Sequence, residues 1–151
     1  MAVLVGAFPG AIPPLLGWVA ATGSFGPGAV ALFLLQFFWQ FPHFWAIAWI
    51  LADDYKKAGY FLLPTTSGRS KSSAFQILVY SAILIPLSTL PYVFGISGIS
   101  SMIIVMVASL LLLLSGLKLY KTLDIKDAKR LMFASLIYNP LTLIALLIDK
   151  I

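Results

Sequence analysis

Five apolar runs, at roughly 2–22, 29–52, 74–94, 99–120 and 131–148, leave almost no room for anything else in this 151-residue chain. About 20 helical residues at about 1.5 Å each cross a hydrocarbon core of about 30 Å. In lipid the backbone must satisfy its own hydrogen bonds, so runs of this length are expected to be helices. The ten Lys and Arg fall between the runs, at their ends, or at the C-terminal end. The expected fold class is therefore all-α integral membrane, with five transmembrane helices in a single transmembrane domain, residues 1–151. Only 10% of residues are charged, against about a quarter in soluble domains, and the mean hydropathy is +1.01. A soluble fold is excluded on that ground. The net charge of +5 and pI near 9.6 could suit nucleic acid, but loop basicity in a membrane protein accounts for them, so a lipid bilayer is the expected environment and no nucleic acid a partner. Without cysteine there is neither a disulfide nor a thiolate metal site. Met1-Ala2-Val3 carries no basic leader, so a signal peptide is not expected and the chain is expected to open inside a longer arrangement.

The first run is broken by Pro9, Pro13 and Pro14, with Gly6, Gly10, Gly17 and Ala21 at small-residue spacing. This reads as a kinked helix packed closely on neighbours. The second carries Gln36, Gln40, Pro42 and His43 and empties into Asp53-Asp54-Tyr55-Lys56-Lys57-Ala58-Gly59. At 100° per residue, positions 36, 40, 43, 47, 50 and 54 share a narrow stripe. Eleven steps put His43 roughly 16 Å from Asp54, so the stripe reads as one wall of a buried site open at one membrane face. Pro42 frees the Phe38 carbonyl and should kink the helix at His43. Trp39, Trp45 and Trp49 suit either interface anchoring or a wall for a flat ligand. Residues 74–94 and 99–120 read as nearly featureless spans around an uncharged turn at 95–98, and Tyr138-Asn139-Pro140 puts a polar, helix-breaking trio in the last one.

The two segments rich in Lys and Arg, 53–73 and 118–130, fall on one side of a five-span chain, and the positive-inside rule makes that side cytoplasmic. Carboxylates beside Lys56, Lys57, Arg69 and Lys71 suit a divalent cation with a phosphorylated group, or plain loop solvation. His43, ionisable within a span, is a functional hypothesis by default: iron or substrate contact, proton transfer, or a hydrogen bond to Gln36 or Gln40.

The runs GAIPPLLGWVAATG (10–23), WQFPHFWAIAW (39–49) and DDYKKAGYFLLP (53–64) closely resemble the protoheme IX farnesyltransferases, or heme O synthases, of the UbiA superfamily of prenyltransferases. The resemblance covers essentially the whole chain. It implies a nine-helix bundle of which this chain is the carboxy-terminal five, joining the farnesyl chain of farnesyl diphosphate to a vinyl group of heme b, with the mouth at the cytoplasmic face of the cell inner membrane. It marks Trp39, Gln40, Pro42 and His43 as the motif facing the cavity, and Asp54, Tyr55, Lys56 and Gly59 as the polar motif near the diphosphate. Catalytic roles then fall to Asp54, Tyr55 and Lys56, and substrate binding to Trp39, Gln40, His43, Lys57, Arg69 and Lys71. Magnesium is implied as cofactor, with Asp53 and Asp54 as this chain's candidates and most ligands in an amino-terminal half. The sequence departs from the family pattern twice: the aspartate spacing of the second motif is altered, and the first Asn/Asp motif is absent. The missing amino-terminal half is thus an implied partner, and the isolated chain is expected to be inactive. A heme-binding membrane protein without transferase activity, or a UbiA-type enzyme for another aromatic acceptor, are the alternatives.

Overall fold

The structure, a computed structural model, describes residues 2–151. It consists of α1 (Ala2–Thr22), α2 (Pro27–Ile50), α3 (Ala52–Lys57), α4 (Lys71–Leu87), α5 (Leu90–Val93), α6 (Ile99–Thr122) and α7 (Ile125–Ile148). Five helices, counting α4 and α5 as one span, are long and apolar enough to cross a membrane. Helices α2, α4, α6 and α7 close a four-sided ring in which each packs on two neighbours, and α1 lies outside it against α2. Phe41, Trp49, Ile77, Leu84, Leu112, Leu119 and Leu131 fill the centre and are all essentially buried. Helix α1 is the outlier: 11% of its apolar window is buried, against 50% for α2.

The connections depart from the expected ones for identifiable reasons. The stripe through His43 does not run on to Asp54, because α2 stops at Ile50 and Leu51 sits at φ −97°, ψ 14°. The Asp54 N–H bonds the Leu51 carbonyl, and the Trp49 and Ile50 carbonyls accept instead from Arg69 Nε (2.7 Å) and Nη2 (3.1 Å). A distant guanidinium thus replaces the next helical turn. Gly59, at φ +78°, ends α3: the Tyr60 N–H reaches the Tyr55 carbonyl and the Gly59 N–H that of Lys56, a Schellman stop whose left-handed position suits glycine. The segment 118–130 is no loop. It is the last turn of α6 and the first turns of α7, joined by Leu123, which is left-handed at φ 56°, and the N-cap Asp124. Asp127 binds Thr122, Arg130 and Lys118 across that joint.

The spans taken as featureless carry buried serines. Ser81 and Ser109 satisfy themselves on carbonyls four residues back, as hydroxyls in helices commonly do. The span at 74–94 also breaks after Leu87, and Pro91 opens the short α5. Pro140 sits inside α7 without ending it, and the Tyr138 hydroxyl lies 3.2 Å from Ser109 Oγ on α6. Phe75 of α4 meets Tyr120 of α6, and the Gly98 N–H meets the Asp149 carbonyl. The charged segments therefore gather at one end of the bundle and the uncharged turns at the other.

Candidate functional site

Two separate places hold the residues singled out from the sequence. The first is at the charged end. A cavity of about 260 Å3 lies between the end of α2, helix α3 and the loop 60–69, lined among others by Asp53, Tyr55, Lys56, Thr65, Ser67 and Arg69. The sequence accounts for its walls. The break at Leu51 turns α3 aside, the Gly59 stop sends the chain back, and Gly68, at φ +69°, bends it into the Ser70 cap of α4, whose hydroxyl accepts the Ser73 N–H. Thr65 Oγ1 lies 2.8 Å from Ser67 Oγ and 2.6 Å from Ser73 Oγ, and Ser73 donates to the Gly68 carbonyl. A hydroxyl network therefore holds the loop in shape.

Charge at the cavity is uneven. Arg69 Nη1 pairs with Asp53 at 2.9 Å while its other nitrogens hold the end of α2, so its charge is largely answered. Lys56 lines the same cavity and makes no ion pair among the described residues. The cavity therefore presents one uncompensated cation among hydroxyl groups, an arrangement suited to a compact oxyanion. Its volume is below the roughly 300–1,000 Å3 of ordinary small-molecule pockets, too small for a porphyrin.

Asp54, Lys57 and Lys71 do not join this lining. Asp54 and Lys57 face solvent as an i,i+3 pair at 3.5 Å with both side chains more than 70% exposed; such pairs contribute little. Lys71 is the exposed first residue of α4. The carboxylates do not converge: Asp53 is engaged by Arg69 and Asp54 is turned away, and no cluster of three metal-ligating side chains occurs among the described residues. The donors of this chain do not fit a magnesium site by themselves.

The second place is the seam between α2 and α7. His43 Nδ1 lies 2.8 Å from Ser135 Oγ, Trp39 stacks on the imidazole with centroids 5.0 Å apart and planes 15° from parallel, and the Trp39 indole N–H donates to the Ser135 carbonyl at 2.7 Å. His43 thus bonds neither Gln36 nor Gln40. Gln40 turns the other way, donating to the carbonyls of Ala7 on α1 and of Gln36. Trp49 is a core residue, while Trp45, largely buried and meeting Tyr80 edge-on, shows one side to a small cavity behind the loop 60–69. Within this chain His43 does not share a lining with the charged-end cavity. Nothing in the sequence pattern marks Ser135, and the loop hydroxyls of Thr65, Ser67 and Ser73 belong to no motif quoted for the site.

The profile of the UbiA prenyltransferase family matches residues 1–137. The chain belongs to the UbiA prenyltransferase family. Among the relatives of this family member, a protein from Cytophaga hutchinsonii named protoheme IX farnesyltransferase is 51% identical over 151 residues, covering 100% of this chain and 53% of its own length. Another of that name from Flavobacterium psychrophilum is 50% identical, covering 99% of this chain and 51% of its own. One from Koribacter versatilis is 38% identical, with 97% and 49% covered. The chain spans about half the length of the curated relatives it matches. No solved structure matches it.

Proposed function

We propose that this UbiA-family chain is the carboxy-terminal half of a heme O synthase, which transfers a farnesyl group from farnesyl diphosphate to heme b at the cytoplasmic face of the cell inner membrane. The observation that carries this reading is the charged-end cavity with Lys56 uncompensated in its wall, together with relatives named for the farnesyl transfer. In this account Lys56 faces the diphosphate, and Arg69, tied to Asp53 and to the end of α2, holds the wall of the cavity in place. As the bond from the allylic carbon to oxygen breaks, negative charge grows on the leaving group, and a cation placed beside it stabilises that growth. Tyr55 and the loop hydroxyls orient the phosphoryl oxygens.

A second cavity, of about 160 Å3, lies behind the same loop and is lined by Phe41, Trp45, Tyr80 and Gln76, sharing Phe61, Leu62 and Leu63 with the first. Its aromatic walls suit the start of a prenyl chain, and ring faces stabilise nearby positive charge. Trp39 and His43 supply the porphyrin contact, and the rest of the bundle supplies the walls that join the two places and most magnesium ligands. Farnesyl transfer measured on the whole protein, with and without Lys56→Ala, tests the reading. A variant with undiminished turnover removes the diphosphate assignment, and a product on a different aromatic acceptor removes the heme assignment.

A further inference from the structure

The histidine seam contains more order than a helix contact requires. Ser135 Oγ lies 2.6 Å from the Met132 carbonyl oxygen. Two oxygens that close need a proton between them, and the serine hydroxyl is the group that has one. With that proton committed, Ser135 Oγ meets His43 Nδ1, at 2.8 Å, as an acceptor. The imidazole must then carry its hydrogen on Nδ1, and in the neutral ring Nε2 is left as a lone-pair acceptor. Nε2 has no hydrogen-bond partner among the described residues and is not among the buried polar atoms without one, so it reaches the surface of the chain. Trp39 fixes the remaining freedom: it stacks on the ring and is itself tied to the Ser135 carbonyl.

We propose that Ser135 is a positioning residue for His43, holding the imidazole as the Nδ1–H tautomer so that the Nε2 lone pair is what the porphyrin meets. The inference rests on the reading of His43 as the porphyrin contact, and its first measurement is independent of that reading. A histidine that presents one nitrogen to an electrophile commonly donates its other N–H to a fixed acceptor, which sets tautomer and basicity together. Here the acceptor is a hydroxyl whose own proton is locked onto the helix backbone.

His43 is the single histidine of the chain, so 15N-histidine labelling gives one unambiguous signal. For the 151-residue chain in lipid nanodiscs, the expected spectrum has a protonated Nδ1 and a bare Nε2. Ser135→Ala is expected to shift the ring to a mixture rich in Nε2–H, and Ser135→Thr, which keeps the hydroxyl, to retain the original pattern. An Nε2–H ring in the unaltered chain, or an identical tautomer in Ser135→Ala, overturns the proposal. Zinc protoporphyrin IX, a diamagnetic probe, is then expected to move the Nε2 resonance, with at least about tenfold weaker binding in Ser135→Ala than in Ser135→Thr. A resonance that ignores the porphyrin while the tautomer behaves as expected overturns the porphyrin reading of His43 and leaves the tautomer assignment standing.

Discussion

Lys56 and Lys57 are adjacent and chemically identical, yet the end of α2 sends them to different places. Lys56 lines the charged-end cavity, while Lys57 reaches back to Asp54 in solvent. In the whole protein Lys56→Ala is expected to lower kcat for farnesyl transfer by about 10²-fold, the scale at which one group that stabilises developing negative charge acts. Lys57→Ala is expected to change it by less than about twofold, in line with the small worth of exposed pairs. Steady-state turnover with farnesyl diphosphate distinguishes the two, and equal losses would remove the geometric basis of the assignment. His43 was legible in the sequence because an ionisable group in an apolar run stands out. Its partner Ser135 was not, since a serine in a helix can satisfy itself on its own backbone and leaves no pattern. Asp54 leaves the stripe that runs through His43 because a 3.6-residue spacing holds only while the helix continues, and α2 stops at Ile50.

That stop is a tertiary event, made by a residue about twenty positions downstream. Arg69 takes the two carbonyls freed at the end of α2 and the Asp53 carboxylate in one fork, and its side chain is 23% exposed. Arg69→Gln is expected to cost on the order of 2 kcal/mol, the scale of charge-assisted hydrogen bonds partly open to water, read as a lowered midpoint of thermal unfolding in lipid nanodiscs. Asp53→Asn, which spares the backbone bonds, is expected to cost less. At the other contact of α2, a Cβ on Gly10 would lie 2.2 Å from Gln40 Oε1. Gln40 is buried and tied to Ala7 and Gln36, so Gly10→Ala must displace its amide and is expected to destabilise α1 by about 1–2 kcal/mol. Amide exchange that is faster along α1 than in the unaltered chain, with α2 still protected, would confirm where the loss falls. The long helices were readable from hydropathy alone. The break after Leu87 was not, nor was how sharply the chain turns at Leu51 and Leu123, because these depend on capping or side-chain bonds that have no periodicity.

For the whole molecule, α1 is the informative element. It carries three prolines and shows little burial, and Gly6 and Gly17 have open space where a side chain would stand. Gly10 and Gly28, by contrast, meet Gln40 and Trp18. The small-residue spacing of α1 thus divides into a side used within this chain and a side left open, and relatives twice as long supply the material to cover it. Gly17→Leu is expected to leave unfolding of the 151-residue chain unchanged while reducing its co-purification with a separately expressed amino-terminal half. The most direct test of the central claim, that these helices carry one half of a farnesyl transfer site, is mass-spectrometric measurement of heme O in membranes containing this chain alone or together with that half. The account predicts heme O in the combined membranes, loss of it with Lys56→Ala, and none from the chain alone; heme O made by the chain alone, or undiminished in the Lys56→Ala combination, would contradict it.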